Sequence, residues 1–208
     1  MFLGLIALDS SDPPPRHPRH GDPLPSDVGR FGMIILMISL GSLFVAALCL
    51  YAAVQAYSAQ WPDRAGRALP PGLWLSTLAL IGVSGAMHGA VRSARFGNQR
   101  ALRLSIFGAL ALAIAFMAMQ VLNWRAIQLE AATINDNMFV KMFIILTVLH
   151  AAHIIGGFVP LIWCLANTLR RRYTPQRHDG VVWCAWYWHF LDGVWMTMFA
   201  LIFLPSLV

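Results

Sequence analysis

Five long apolar segments that are almost free of charged residues constrain the fold of this chain more than any other feature. They span residues 31–57, 72–91, 102–122, 138–166 and 181–205. An α-helix rises about 1.5 Å per residue, so each segment covers or nearly covers a hydrocarbon core about 30 Å thick. In lipid such segments must be helical, because open strands would leave backbone groups unpaired. We therefore predict an all-α integral membrane bundle of five transmembrane helices within residues 31–208.

The composition agrees with a membrane location. Hydrophobic residues make up 58% and charged residues 12% of the 208 residues, whereas soluble domains carry roughly 25% charged residues. Residues 9–30 are rich in Pro, Asp and His and cannot bury a core. We therefore interpret residues 1–30 as an N-terminal tail and residues 31–208 as the transmembrane domain.

The distribution of arginine predicts an orientation. The net charge is +6, and most of the fourteen Arg lie in two connections, at Arg92, Arg95, Arg100 and Arg103 and at Arg170, Arg171, Arg172 and Arg177. The alternate connections are nearly balanced in charge. The positive-inside rule places both arginine connections in the cytoplasm, with the N-terminus inside and the C-terminus outside. In this setting the basic excess indicates topology and contact with anionic lipid rather than nucleic-acid binding.

Few ionisable residues lie inside the apolar segments, and each is a candidate for function. The second segment contains His88, the fourth contains His150 and His153, and the fifth contains His189 and Asp192 in the stretch "AWYWHFLDGVW". His153 lies about 20 Å and Asp192 about 16 Å from the same membrane edge, if the fourth and fifth helices are antiparallel neighbours. We therefore expect Asp192 either to be hydrogen-bonded to a histidine of the fourth helix, His153 ahead of His150, or to be neutral.

Three roles for this polar cluster of His150, His153, His189 and Asp192 are open. Haem ligation needs two axial histidines that face one another, but His150 and His153 share one helix face. A di-metal site of the Glu-x-x-His type needs glutamates, and Glu130, the only glutamate, lies in a connection. In a structural role, the polar groups satisfy one another between helices, at roughly 0.6–2 kcal/mol per hydrogen bond. The residues by themselves favour the structural role, with no catalytic, cofactor-binding or metal-binding residue in this chain.

Small residues and cysteines in the segments have simpler interpretations. Gly82, Ser84, Gly85, Ala86 and Gly89, and Gly156 and Gly157, allow helices to approach closely. The three cysteines lack CxxC spacing, and we interpret them as small hydrophobic residues rather than as disulfide or metal ligands.

Several motifs, taken together, resemble subunit III of the haem–copper respiratory oxidases. "YWHFLDGVW" is similar to the family signature that opens its last helix, with Tyr187, Trp188 and Trp195 in place, and "LTVLHAAHIIGG" is similar to its His-x-x-His helix. "AMQVLNW" resembles its Gln-x-x-x-Trp helix end through Gln120 and Trp124. The helix that carries Thr77 resembles its Leu-Pro and Asn-Thr helix, with Ser76 in place of Asn. The similarity runs in order from about residue 30 to residue 205.

One position departs from the family pattern. The first shared helix of the family reads Gly-Met, then Ser-Glu, and the Glu is a buried carboxylate that carbodiimides modify. Here "FGMIILMISLGSLF" keeps Gly32, Met33 and Ser39, but Leu40 follows. A proton-handling role tied to that glutamate is therefore not expected here, and no carbodiimide adduct is expected in residues 31–57.

The resemblance implies a function for the whole chain. It implies the short five-helix bacterial form of subunit III, a multi-pass protein of the cytoplasmic (inner) membrane that contains neither haem nor copper. It also implies contact with the catalytic subunit I, association with subunit II and other respiratory subunits, bound phospholipid, and support of proton uptake during oxygen reduction. Two alternatives share these features in part: an accessory subunit of a nitric oxide reductase, and a membrane anchor that binds haem or quinone.

Overall fold

The computed structural model describes residues 26–58, 61, 71–131 and 138–207, and they form five α-helices. The helices are α1 (Ser26–Tyr57), α2 (Gly72–Arg95), α3 (Gln99–Ala131), α4 (Met138–Leu169) and α5 (Asp179–Leu207). Each helix contains one of the five apolar segments and extends beyond it at one or both ends. The all-α prediction is confirmed, while residues 1–25 of the expected tail lie outside the described residues.

Four of the five helices have both the length and the composition of membrane spans. Within the described residues, α1, α2, α3 and α4 are each long and apolar enough to cross a bilayer. Helix α5 has 29 residues, which exceeds the roughly 20 that a span needs. Its described part includes His189, Asp192 and several Trp residues, which are less apolar than the aliphatic residues of the other helices.

Four helices form a closed ring and the first helix packs on its outside. Helix α2 packs against α3 and α5, and α4 packs against the same two helices, whereas α1 contacts α4 and α5. The prediction that α4 and α5 are neighbours is therefore confirmed. The buried interior of the ring is formed mainly by aliphatic and aromatic residues, which include Leu80, Met87, Ile106, Phe116, Ile154 and Trp188.

The two arginine-rich connections lie against each other at one end of the bundle. The Gln99 amide donates a 2.7 Å hydrogen bond from Nε2 to the Tyr173 carbonyl oxygen. Gly97 adopts a left-handed conformation with φ +69, and a Cβ there would lie 3.3 Å from the Cγ of Pro175. Both connections therefore lie on the same side, as the predicted topology requires.

A second set of contacts anchors the connection between α4 and α5. Tyr173 is buried, and its hydroxyl donates to the Sγ of Cys164 at 3.5 Å. Burial, together with the neighbouring Cys164, raises the pKa of the Tyr173 phenol. The hydroxyl is therefore protonated at neutral pH and remains a hydrogen-bond donor that holds the connection against α4.

Candidate functional site

His150 lies at the centre of the bundle, enclosed by aromatic rings from three other helices. It is fully buried, and its ring centroid is 5.2 Å from that of Trp195, 6.0 Å from that of Phe44 and 6.1 Å from that of Phe116. Neither ring nitrogen has a hydrogen-bond partner among the described residues. Since each of these three neighbours is an aromatic ring, the described residues pack around the imidazole and place no second ligand opposite it.

His153, one turn further along α4, is engaged by its own helix and by α1 and α5. Its Nδ1–H donates a 2.7 Å hydrogen bond to the carbonyl oxygen of Leu149, and its ring lies 4.8 Å from that of Phe44. The His153 carbonyl oxygen accepts a 2.8 Å hydrogen bond from the Tyr187 hydroxyl. The residue thus connects α4 to α1 through its ring and to α5 through its backbone.

His189 and Asp192 lie on the side of α5 that faces α2. The Nδ1 of His189 and the hydroxyl of Ser84 are 2.8 Å apart. The same hydroxyl interacts with the Asp192 carboxyl, and His88 is a neighbour of His189. The Oδ1 atom of Asp192 has no hydrogen-bond partner in the described part of the chain.

Of the two alternatives expected for Asp192, a hydrogen bond to a histidine of α4 was wrong, and a neutral carboxyl stays a prediction. The depths of His153 along α4 and of Asp192 along α5 match, but their directions around the helix axes differ. Asp192 follows His189 by three residues and therefore shares its face, which is directed at Ser84 on α2. Trp188 and Trp195 lie on other parts of the α5 surface and pack on α4, beside Tyr187. The predicted cluster consequently divides into two pairs, His150 with His153 and His189 with Asp192.

Ser84 is a partner of His189 and Asp192 that the sequence did not predict. It was interpreted as one of several small residues that permit close helix packing, whereas its hydroxyl bridges two polar side chains of α5. Its spacing could have predicted this role. Ser84 and His88 are four residues apart on one face of α2, at about the same height as His189 and Asp192 in α5.

Residues that match the family motifs make hydrogen bonds between helices. The Trp195 Nε1–H donates to the Thr77 hydroxyl at 3.0 Å, and that hydroxyl in turn donates to the Leu73 carbonyl oxygen at 2.8 Å. The Trp124 Nε1–H donates to the Thr147 hydroxyl at 2.9 Å. These bonds connect α5 to α2 and α3 to α4, and they explain why tryptophan and threonine occur at these positions.

A close approach between α4 and α5 depends on Gly157. A Cβ at this position would lie 2.9 Å from the Cε1 of Tyr187 and 3.2 Å from the Cζ2 of Trp188, whereas a Cβ at Gly156 would lie 3.6 Å from the Tyr187 hydroxyl. Trp188 is fully buried. Glycine at 157 therefore lets two large aromatic side chains of α5 lie directly on the α4 backbone.

Two further motif positions have different environments. Gln120 on α3 is fully buried, and both of its side-chain amide atoms lack a partner among the described residues. Ser39 on α1 is exposed, and Leu40 beside it packs partly on the core. The position of the family glutamate is thus occupied by an aliphatic side chain at the edge of the core.

The chemistry available to the described residues is limited. They contain no group of three or more His, Cys, Asp or Glu side chains that could hold a metal ion. The thiols of Cys164 and Cys184 interact with each other and with Tyr173, and Cys49 is exposed on α1. Most of the polar residues described above join neighbouring helices through hydrogen bonds.

Comparison with known proteins gives one consistent similarity. The family model for cytochrome c oxidase subunit III matches residues 21–206. The cytochrome c oxidase subunit 3 proteins of Felis catus and Hippopotamus amphibius are each 28% identical to the chain over 88% of its length and 72% of their own. That of Ornithorhynchus anatinus is 29% identical over 84% of the chain and 68% of its own length.

Proposed function

Because the chain belongs to the cytochrome c oxidase subunit III family, we propose that it is the non-catalytic subunit III of a bacterial proton-pumping terminal oxidase. In this function it packs on the catalytic subunit I, which with subunit II holds the haem and copper groups of the complex. It holds phospholipid at that interface and supports sustained proton uptake during oxygen reduction. Its location is the cytoplasmic (inner) membrane of a bacterium.

The observation that carries this proposal is the set of contacts around Trp195. Its indole donates to Thr77 on α2 and packs on Phe116 of α3, 5.1 Å between ring centroids, and on His150 of α4. One motif side chain of α5 therefore contacts all three other helices of the ring. Such an arrangement supports a scaffold, because its polar groups are directed at neighbouring helices rather than into a cavity that a substrate could enter.

The outer surface of α1 supports contact with lipid or another subunit. Helix α1 is the least buried of the four helices that are apolar enough to span a membrane, and it exposes Phe31, Ile38 and Val45 at 60% or more. A groove of about 700 Å³ separates it from α5 and is lined mostly by apolar residues. In a bilayer this surface needs apolar partners, which acyl chains and the helices of subunit I both provide.

The test is purification of the complex through an affinity tag on this chain. We expect a haem- and copper-containing oxidase to co-purify and to reduce oxygen. Deletion of the gene for this chain should leave a complex with near-normal initial turnover that loses activity faster during sustained turnover. Co-purification of a nitric oxide reductase that lacks copper would instead support the first alternative function.

An optical spectrum of the chain separated from its partners tests the second alternative. His150 is packed against aromatic rings and His153 is bonded to its own backbone, so we expect no haem absorbance. One haem per separated chain would contradict subunit III function and would support a haem-binding anchor.

A further inference from the structure

A groove between α2 and α5 combines positive charge with aromatic walls at the arginine-rich end of the bundle. Its volume is about 450 Å³, and its lining includes His88, Arg92, Arg95, Phe96, Trp186 and His189. Among the described residues, no carboxylate lines it. From this combination we infer that the groove binds the phosphate group of an anionic phospholipid, whose acyl chains lie along α2. This inference rests on the proposed function only for the placement of the helices in a bilayer.

The described side chains provide no counter-charge to the arginines of the groove. Arg92 and Arg95 are exposed in the last turn of α2. Among the described side chains the carboxylates are those of Asp179 and Asp192, and Asp192 interacts with Ser84 and His189. The two exposed guanidinium groups are therefore not paired with a described carboxylate, and guanidinium is the side-chain group that pairs best with phosphate oxygens.

A continuous exposed stripe on α2 leads away from these arginines. Counting back from Arg95 in steps of three and four residues along one helix face, it passes Arg92 and His88 and reaches Gly85. It continues through three large apolar side chains, Ile81, Leu78 and Trp74, which are 43%, 64% and 52% exposed. The stripe is thus cationic at one end and apolar over the rest of its length.

The dimensions of the stripe favour a lipid over a soluble phosphate. From His88 to Leu78 it covers ten residues, or about 15 Å, which is half of a hydrocarbon core about 30 Å thick. A Cβ at Gly85 would meet nothing within 4 Å, so the surface below the basic residues is open. Trp186 and Phe96 lie beside the charges, where aromatic residues commonly contact lipid headgroups.

Photo-crosslinking in membrane vesicles that carry the full-length chain tests this assignment. The probes are photoactivatable phosphatidylglycerol and photoactivatable phosphatidylcholine with identical acyl chains, and the labelled α2 peptides are identified by mass spectrometry. We expect phosphatidylglycerol to label the α2 stripe preferentially. Each arginine near a membrane surface contributes about a factor of five to binding of anionic lipid. The double substitution R92Q/R95Q should therefore raise the phosphatidylglycerol concentration that gives half-maximal labelling by about 25-fold.

Two further variants and one competitor complete the test. R100Q/R170Q removes two exposed arginines from the same end of the bundle without touching the groove and should leave labelling unchanged, whereas R92K/R95K should retain most of it. Equal labelling by both lipids, or an equal loss in the two glutamine variants, would overturn the inference. Loss of the signal when soluble glycerol 3-phosphate is added would also overturn it, in favour of a soluble phosphate. Because labelling is read without oxidase activity, its failure is separate from failure of the proposed function.

Discussion

The indole nitrogen of Trp195 and the hydroxyl of Thr77 form a 3.0 Å hydrogen bond that joins the last helix to the second. Both residues are buried, so neither group can exchange this bond for one with water. Interhelical hydrogen bonds in membranes contribute about 0.6 kcal/mol on average and up to about 1.7 kcal/mol. This bond and the tight contacts of Gly157 allow separate tests of what holds the bundle together.

The first prediction concerns the Trp195–Thr77 bond. Trp195→Phe keeps most of the aromatic packing but removes the donor, and Thr77→Val removes the acceptor while keeping the shape. We expect a coupling energy of about 0.6–1.7 kcal/mol between the two substitutions, measured as a double-mutant cycle on thermal stability of the purified complex. Additive effects of the two changes would show that the bond does not contribute.

The second prediction concerns the contact between α4 and α5 at Gly157. Gly157→Ala places a methyl group against Tyr187 and Trp188 at distances that require these side chains or the helix backbone to shift, and overpacking of this kind costs about 1–3 kcal/mol. Gly156→Ala is the matched control, because its methyl group meets the Tyr187 hydroxyl at an ordinary 3.6 Å. Retention of this chain in the complex after detergent purification is the measurement. If both variants are retained equally, the close approach at Gly157 is not required.

The third prediction concerns the partner of Asp192. Asp192→Asn keeps shape and hydrogen bonding, so assembly and the initial oxidase rate should change little. Asp192→Leu removes one of the two polar partners of the Ser84 hydroxyl and leaves the contact with His189 in place, so it should cost about 1 kcal/mol, the typical net value of one hydrogen bond. Ser84→Ala should be coupled energetically to Asp192→Leu, whereas His153→Leu should be additive with it. Immediate loss of oxygen reduction in Asp192→Asn, with this chain still bound, would instead assign chemistry to the carboxylate.

The fourth prediction concerns orientation. Gln176 is exposed in the connection between α4 and α5, and Ala65 lies in the connection that precedes α2. In membranes of known sidedness, a cysteine at Gln176 should react with an impermeant maleimide only from the cytoplasm, and a cysteine at Ala65 only from outside. The reverse pattern would contradict the positive-inside assignment. The chain with Cys49, Cys164 and Cys184 replaced provides the background.

Helix number and location could be read from the sequence because backbone groups in lipid have to be paired within each apolar segment. The family was also recognisable, because its motifs are short and stay in order along the chain. The sequence further indicated that the two arginine-rich connections lie on one side, and the bond between Gln99 and Tyr173 agrees with this.

Only the tertiary structure decided which polar residues meet. Helix length and membrane edges determine how deep a residue lies, and on that basis Asp192 was matched to His153. Contact also depends on rotation about each helix axis, and this rotation is set by how Trp188, Trp195 and Gly157 pack between helices. That packing turns Asp192 toward Ser84 and encloses His150 in aromatic rings. The sequence therefore determined the helices and the relative depth of their residues, and side-chain packing decided their faces, because contacts between distant segments leave no periodic pattern in either segment alone.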